Sequence, residues 1–150
     1  MISATHRNSA WWFLFTMKSC LLLLQTFLII IVLVTRQEYL YRGLKTDVST
    51  SSNSYENAEL EIIISSIVFF VFLLLEFFAV LTGVSIKFLG VTSFQVLLHF
   101  YAVSWTIWTI FERRHYRNIS YICGIFGLTP FVLEILVLIA NFYINRVKYR

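Results

Sequence analysis

Four apolar runs occupy most of this 150-residue chain: Trp11–Val34, Ile62–Thr82, Phe88–Phe111 and Ile119–Ile144. A helix crosses a bilayer with about 20 mostly apolar residues at about 1.5 Å of rise each, and every run meets that length. Each run is apolar on all sides, so a soluble core of this size could not bury four of them. Hydrocarbon is therefore the expected solvent. The expected fold is an all-α membrane protein, a four-transmembrane-helix bundle over residues 1–150 with both tails on one side. Only 13% of the residues are charged, and the segments between the runs are too short to bury a core of their own.

The run ends carry ordinary membrane signals. Trp11, Trp12, Phe13 and Phe15 cluster where the first run begins, as amphipathic rings do at the headgroup level. Lys18 lies just inside and is expected to snorkel back to that surface. The first loop, Thr35 to about Glu61, divides by composition. RQEYLYRGLK, with Tyr39, Leu40, Tyr41 and Leu44 among charges, is expected along the interface, whereas DVSTSSNSYENAELE is expected to be solvated and mobile. The loops near Gly83–Leu89 and Glu112–Asn118 are short, and each is expected to join neighbouring antiparallel helices. The flank Thr35-Arg36-Gln37-Glu38-Tyr39 lacks the small-x-small pattern of signal-peptidase sites, so the first run is expected to stay. The sequon Asn118-Ile119-Ser120 abuts a membrane end and is expected to go unused.

The net charge of +4 would suggest nucleic acid in a soluble chain. Here the basic residues sit beside membrane ends, so they anchor and orient, and no nucleic-acid partner is expected. Four spans place Arg7, Lys18, Lys87, Arg146, Lys148 and Arg150 on the tail face. Arg36, Arg42, Lys45, Arg113, Arg114 and Arg117 fall on the other. That is a tie. The acids Glu38, Asp47, Glu56, Glu59, Glu61 and Glu112 all lie opposite the tails and weakly favour cytoplasmic tails.

Two acids lie within runs, Glu76 and Glu134. Insertion of a central charge costs about 2.5–3.5 kcal/mol, so such groups usually face the bundle interior. Both lie about 14 or 15 residues in from the same face, or roughly 21–22 Å. Gln95 and His99, counted from the opposite face, reach a similar level, and Lys18 and Gln25 flank it. A polar layer of Glu76, Gln95, His99 and Glu134 is therefore expected. It could fix helix register by hydrogen bonds, relay protons or cations through Glu76, His99 and Glu134, or turn one acid outward to a partner's helix.

In the fourth run Gly124, Gly127 and Pro130 recur at three-residue spacing one turn before Glu134. The proline should kink or loosen the helix and the glycines should admit close packing. Trp105 and Trp108 are expected as belt anchors, Cys20 and Cys123 as small apolar packing residues, and His6 and His115 as solvated histidines. No catalytic, metal-binding or phosphate-binding motif occurs in the sequence, which points away from an enzyme and calls for no cofactor.

The second to fourth spans resemble the transmembrane protein 107 family. The resemblance lies in Glu76 followed by Gly83-Val84-Ser85, then His99, then Phe111-Glu112-Arg113 closing the third span, then Pro130 with Glu134 four residues on. Arg114 stands where an aromatic residue can follow the Phe-Glu-Arg triplet in the family. The resemblance covers about residues 60–150, with Gly83 and the triplet as motif positions. It implies a scaffold in the ciliary transition-zone membrane with cytoplasmic tails and no catalytic activity. Such a scaffold takes part in ciliogenesis, helps assemble the Meckel-syndrome module with tectonic-type and meckelin-type membrane proteins, and controls protein localization to the cilium. A homo-oligomer is compatible with this reading.

Overall fold

A computed structural model describes residues 4–45, 52–83, 88–112 and 116–148. They form α1 (Ala4–Val34), α2 (Arg36–Lys45), α3 (Ser52–Leu81), α4 (Leu89–Glu112) and α5 (Arg117–Lys148). Among the described residues there is no strand. Four of the helices are long and apolar enough to cross a membrane, over Ser9–Val34, Tyr55–Leu81, Leu89–Glu112 and Arg117–Ile144.

The long helices form a ring in the order α1, α4, α5, α3. Each packs on its two ring neighbours, and among the described residues α1 does not approach α5, nor α3 approach α4. The short loop after Gly83 therefore joins two helices on a diagonal, a correction to the expected hairpin of packed neighbours. Seven residues separate Leu81 from Leu89, and at up to about 3.3 Å each that is ample reach. Gly83 ends α3 with φ +68°, a left-handed conformation suited to a residue without Cβ, and a Cβ there would meet nothing within 4 Å. Gly83 thus acts as a helix stop and, among the described residues, has open space where a side chain would stand.

The apolar core fills the half of the bundle away from the tails. Leu22, Ile29 and Val32 of α1 meet Ile62, Phe69 and Leu73 of α3 and Ile119 and Cys123 of α5. Tyr39 and Leu40 of α2 join the same cluster, so α2 caps this end instead of only skimming the interface. Arg36 Nε donates to Glu59 Oε1 at 3.0 Å and ties α2 to α3. The Ser/Asn-rich part of the first loop also departs from expectation. Its second half, from Ser52, is the start of α3, with Ala58 buried in the cluster; Asp47 and its neighbours lie outside the described residues.

The outer surface carries large apolar side chains, among them Trp12, Phe27, Ile30, Phe78, Trp105 and Trp108. Hydroxyls on that surface bond to carbonyls four residues back, as in Thr16 to Trp12 O and Ser104 to Phe100 O, both at 2.9 Å. Cys20 is exposed on α1, against the packing role expected for it, while Cys123 is buried.

At Gly127 two helices pack closely. An added Cβ would stand 2.5 Å from Phe69 Cδ2, so α5 approaches α3 where only a glycine fits. A Cβ on Gly124 would meet nothing within 4 Å, so that glycine takes no part in close packing. α5 runs uninterrupted through Pro130.

Candidate functional site

The polar residues of the four long helices converge on the bundle axis in the half nearer the tails. α1 contributes Lys18 and Gln25, seven apart and so on one face. α3 contributes Glu76, α4 contributes Gln95 and His99 one turn apart, and α5 contributes Glu134 and the carbonyl of Pro130. All six side chains are buried: Lys18, Gln95 and His99 are 0% exposed, Gln25 and Glu76 1%, Glu134 3%.

They form two connected groups. Lys18 Nζ donates to Gln95 Oε1 at 2.7 Å and to Glu134 Oε2 at 3.1 Å. Gln95 Nε2 donates to the same Glu134 oxygen at 2.8 Å and to Pro130 O at 3.3 Å. In the second group His99 Nδ1 lies 2.7 Å from Gln25 Oε1, and His99 Nε2 lies 3.1 Å from Glu76 Oε2. Lys18 Nζ and Glu76 Oε1, 3.9 Å apart, join the groups. The pair Lys18–Glu134 spans one diagonal of the helix ring and His99–Glu76 spans the other. Helices without direct backbone approach are thus held through the centre.

With the amide oxygen of Gln25 facing it, His99 Nδ1 donates, because that oxygen only accepts. The ring's other nitrogen faces the Glu76 carboxyl group.

Lys18 does not reach for the interface, as expected from its position near the end of the run. It anchors the centre, and without it the tail face carries five basic residues against six opposite. Neither Glu76 nor Glu134 faces outward, so neither is presented to a partner's helix. Beyond Gln95 and His99, the inward face of α4 includes Thr92, Ala102, Val103, Thr106 and Thr109, and its threonines were not expected from the sequence. That spacing of three or four is a helical stripe, polar inside and apolar outside, and the Thr/Gln/His recurrence was its signal.

Two outer grooves lie apart from the polar centre. One, of about 320 Å³, is lined by Tyr101, Ser104, Trp105 and Trp108; the other, of about 430 Å³, includes Trp105, Asn118, Tyr121 and Phe126. Of the remaining expectations, Phe111 and Glu112 are exposed at the end of α4. Arg113 and His115 lie outside the described residues, as does the side chain of His6. In the sequon, Ile119 is buried and Ser120 Oγ lies 3.3 Å from the hydroxyl of Ser65, inside the first turn of α5. Among the described residues no three His, Cys, Asp or Glu side chains are grouped to hold a metal ion.

Fold and site together define a small multi-pass membrane protein whose helices meet on a buried, hydrogen-bonded polar layer. A family model, TMEM107, described as a transmembrane protein, matches residues 14–138, and the chain belongs to that family. The matched segment runs from before Lys18 to beyond Glu134 and so contains the whole layer. No curated protein and no solved structure matches the chain.

Proposed function

We propose that this protein is a non-enzymatic scaffold of the ciliary transition-zone membrane. In this reading it gathers tectonic-type and meckelin-type membrane proteins into the Meckel-syndrome module and so helps form the barrier to membrane diffusion, with both tails in the cytoplasm. Membership of the TMEM107 family over residues 14–138 carries the proposal. The burial of the polar layer supports it: with the polar groups turned inward, the lateral surface is left for apolar helix contact. The test is the position of a tagged full-length chain in ciliated cells, with co-purification of both partner types. A narrow band between basal body and axoneme is expected. Signal spread over other membranes, with neither partner type recovered, refutes it.

A second reading is a proton- or cation-coupled transporter or channel subunit. The observation favouring it is the joining of Lys18, Glu76, His99 and Glu134 in one network, since buried ionisable groups in membranes often mark ion paths. It requires pH-dependent flux in proteoliposomes that disappears in Glu134→Gln; folded protein without flux rejects it.

A further inference from the structure

The two outer grooves share Trp105. The larger runs along the seam of α4 and α5. Asn118, Ile122 and Ile125 follow one another at spacings of four and three and form its floor. Tyr121 rises on one side of that floor, and Phe126 with Trp105 on the other. The ring centroids of Trp105 and Phe126 lie 6.3 Å apart, so this wall is braced across two helices. Tyr121, Ile125 and Trp105 are exposed, and the groove opens to lipid. Trp105 stands seven residues before the end of α4, which places it about 10 Å below the face opposite the tails. That is deeper than the headgroup level at which tryptophan rings anchor a helix.

The groove is polar at one end. Asn118 lies in the first turn of α5, at the membrane face, and Phe126 lies eight residues further on, about 12 Å deeper. Helical side chains lean toward the N-terminus, so the Tyr121 ring leans toward the level of Asn118. A neutral amide and a phenol thus stand at the mouth, while rings and isoleucines line the rest. The length suits one leaflet, half of a hydrocarbon core roughly 30 Å thick. The volume, about 430 Å³, lies in the range of about 300–1,000 Å³ usual for small-molecule sites.

We infer that this α4–α5 groove is a binding site for a membrane sterol, its hydroxyl between Asn118 and Tyr121 and its fused rings against Trp105 and Phe126. A sterol pairs one neutral hydroxyl with a rigid, flat apolar body, and so matches the groove in polarity and in shape. A phospholipid would bring flexible chains that lose rotamer freedom on binding. It would also bring an anionic phosphate, and none of the described lining residues is basic. Arg117 stands about 100° round α5 from Asn118 and has another interaction. The inference concerns the lipid-facing surface alone and stands whether or not the scaffold reading holds.

The probe is a cholesterol analogue with a diazirine on its rings, photolysed with the full-length chain in phosphatidylcholine nanodiscs. Adducts mapped by mass spectrometry are expected on Trp105 and on residues 118–126. Excess cholesterol should suppress them, and epicholesterol, its hydroxyl epimer, should do so about threefold less well, as the loss of one hydrogen bond implies. Asn118→Leu should remove that preference. Trp105→Ala, which takes away one wall, should cut the adducts on residues 118–126 at least about fivefold, and Trp105→Phe should keep most of them. Adducts spread evenly over the outward faces of α1 and α3 would mean an ordinary lipid annulus and overturn the inference. Labelling that Trp105→Ala leaves unchanged overturns it too. Equal suppression by the two epimers does so on wild-type protein, without any variant. In cells, Tyr121→benzoylphenylalanine should capture sterol on illumination; capture of a second copy or of another protein in its place refutes the assignment.

Discussion

Lys18 Nζ and Glu134 Oε2 lie 3.1 Å apart across the centre of the bundle, on helices whose backbones do not approach each other. Removing one member of a buried pair strands the other charge, which costs about 3–5 kcal/mol, while replacing both with apolar groups of similar size is far milder. Lys18→Met should therefore destabilise the protein by about that amount. Lys18→Met/Glu134→Leu should regain at least about 2 kcal/mol, although Gln95 then loses two partners. Unfolding in mixed micelles with increasing SDS measures both. Identical midpoints for the single and double variants would show that the pairing itself contributes little.

At Glu76 the character of the replacement should matter more than its size. A glutamine can still meet His99 Nε2, so Glu76→Gln is expected to lose less than about 1 kcal/mol. Glu76→Leu leaves the ring nitrogen buried without a partner and should lose about 2–3 kcal/mol. Recovery of co-purified membrane partners should fall in the same order. Wild-type behaviour of both variants would remove Glu76 from the account.

The two glycines of α5 give a contrast within one helix. Gly127→Ala forces a methyl against the ring of Phe69 and should destabilise by about 1–3 kcal/mol. Gly124→Ala meets open space and gains helix propensity, so it should be neutral or stabilising by up to about 1 kcal/mol. Thermal unfolding of the pair in one detergent decides the point, and a larger loss at Gly124 would contradict the packing described for α5 on α3.

Asn118 should remain unglycosylated even when its face is lumenal. Its sequon lies within the first turn of α5, with Ile119 buried and Ser120 against Ser65. Glycosidase treatment of protein from secretory membranes should leave its gel mobility unchanged; a shift would mean that this turn is open when the enzyme meets it.

The span count was readable from run lengths, and the shared depth of Glu76, Gln95, His99 and Glu134 from counting, because the rise per residue is constant. Snorkelling, which treats a helix alone in lipid, does not describe Lys18, whereas its depth beside the polar layer does. The seven-residue interval to Gln25 was the clue that both point the same way. The ring order was not readable, since a short loop can join helices on a diagonal as well as neighbours. Nor was the early start of α3 in Ser/Asn-rich text. There the packing of Ala58 with Tyr39 and Leu40 outweighs weak local propensity.

The Lys18–Glu134 bond also bears on synthesis. Lys18 leaves the ribosome in the first helix, and its acid follows 116 residues later, in the last. Until then an ammonium near the middle of the bilayer, which costs about 2.5–3.5 kcal/mol to insert, has Gln95 and the more distant Glu76 among its partners. A chain cut short before Glu134 lacks the nearer of the two carboxylates that flank that ammonium. The lysine thus makes the burial of the first spanning helix depend on a residue of α5 that is synthesised long after it.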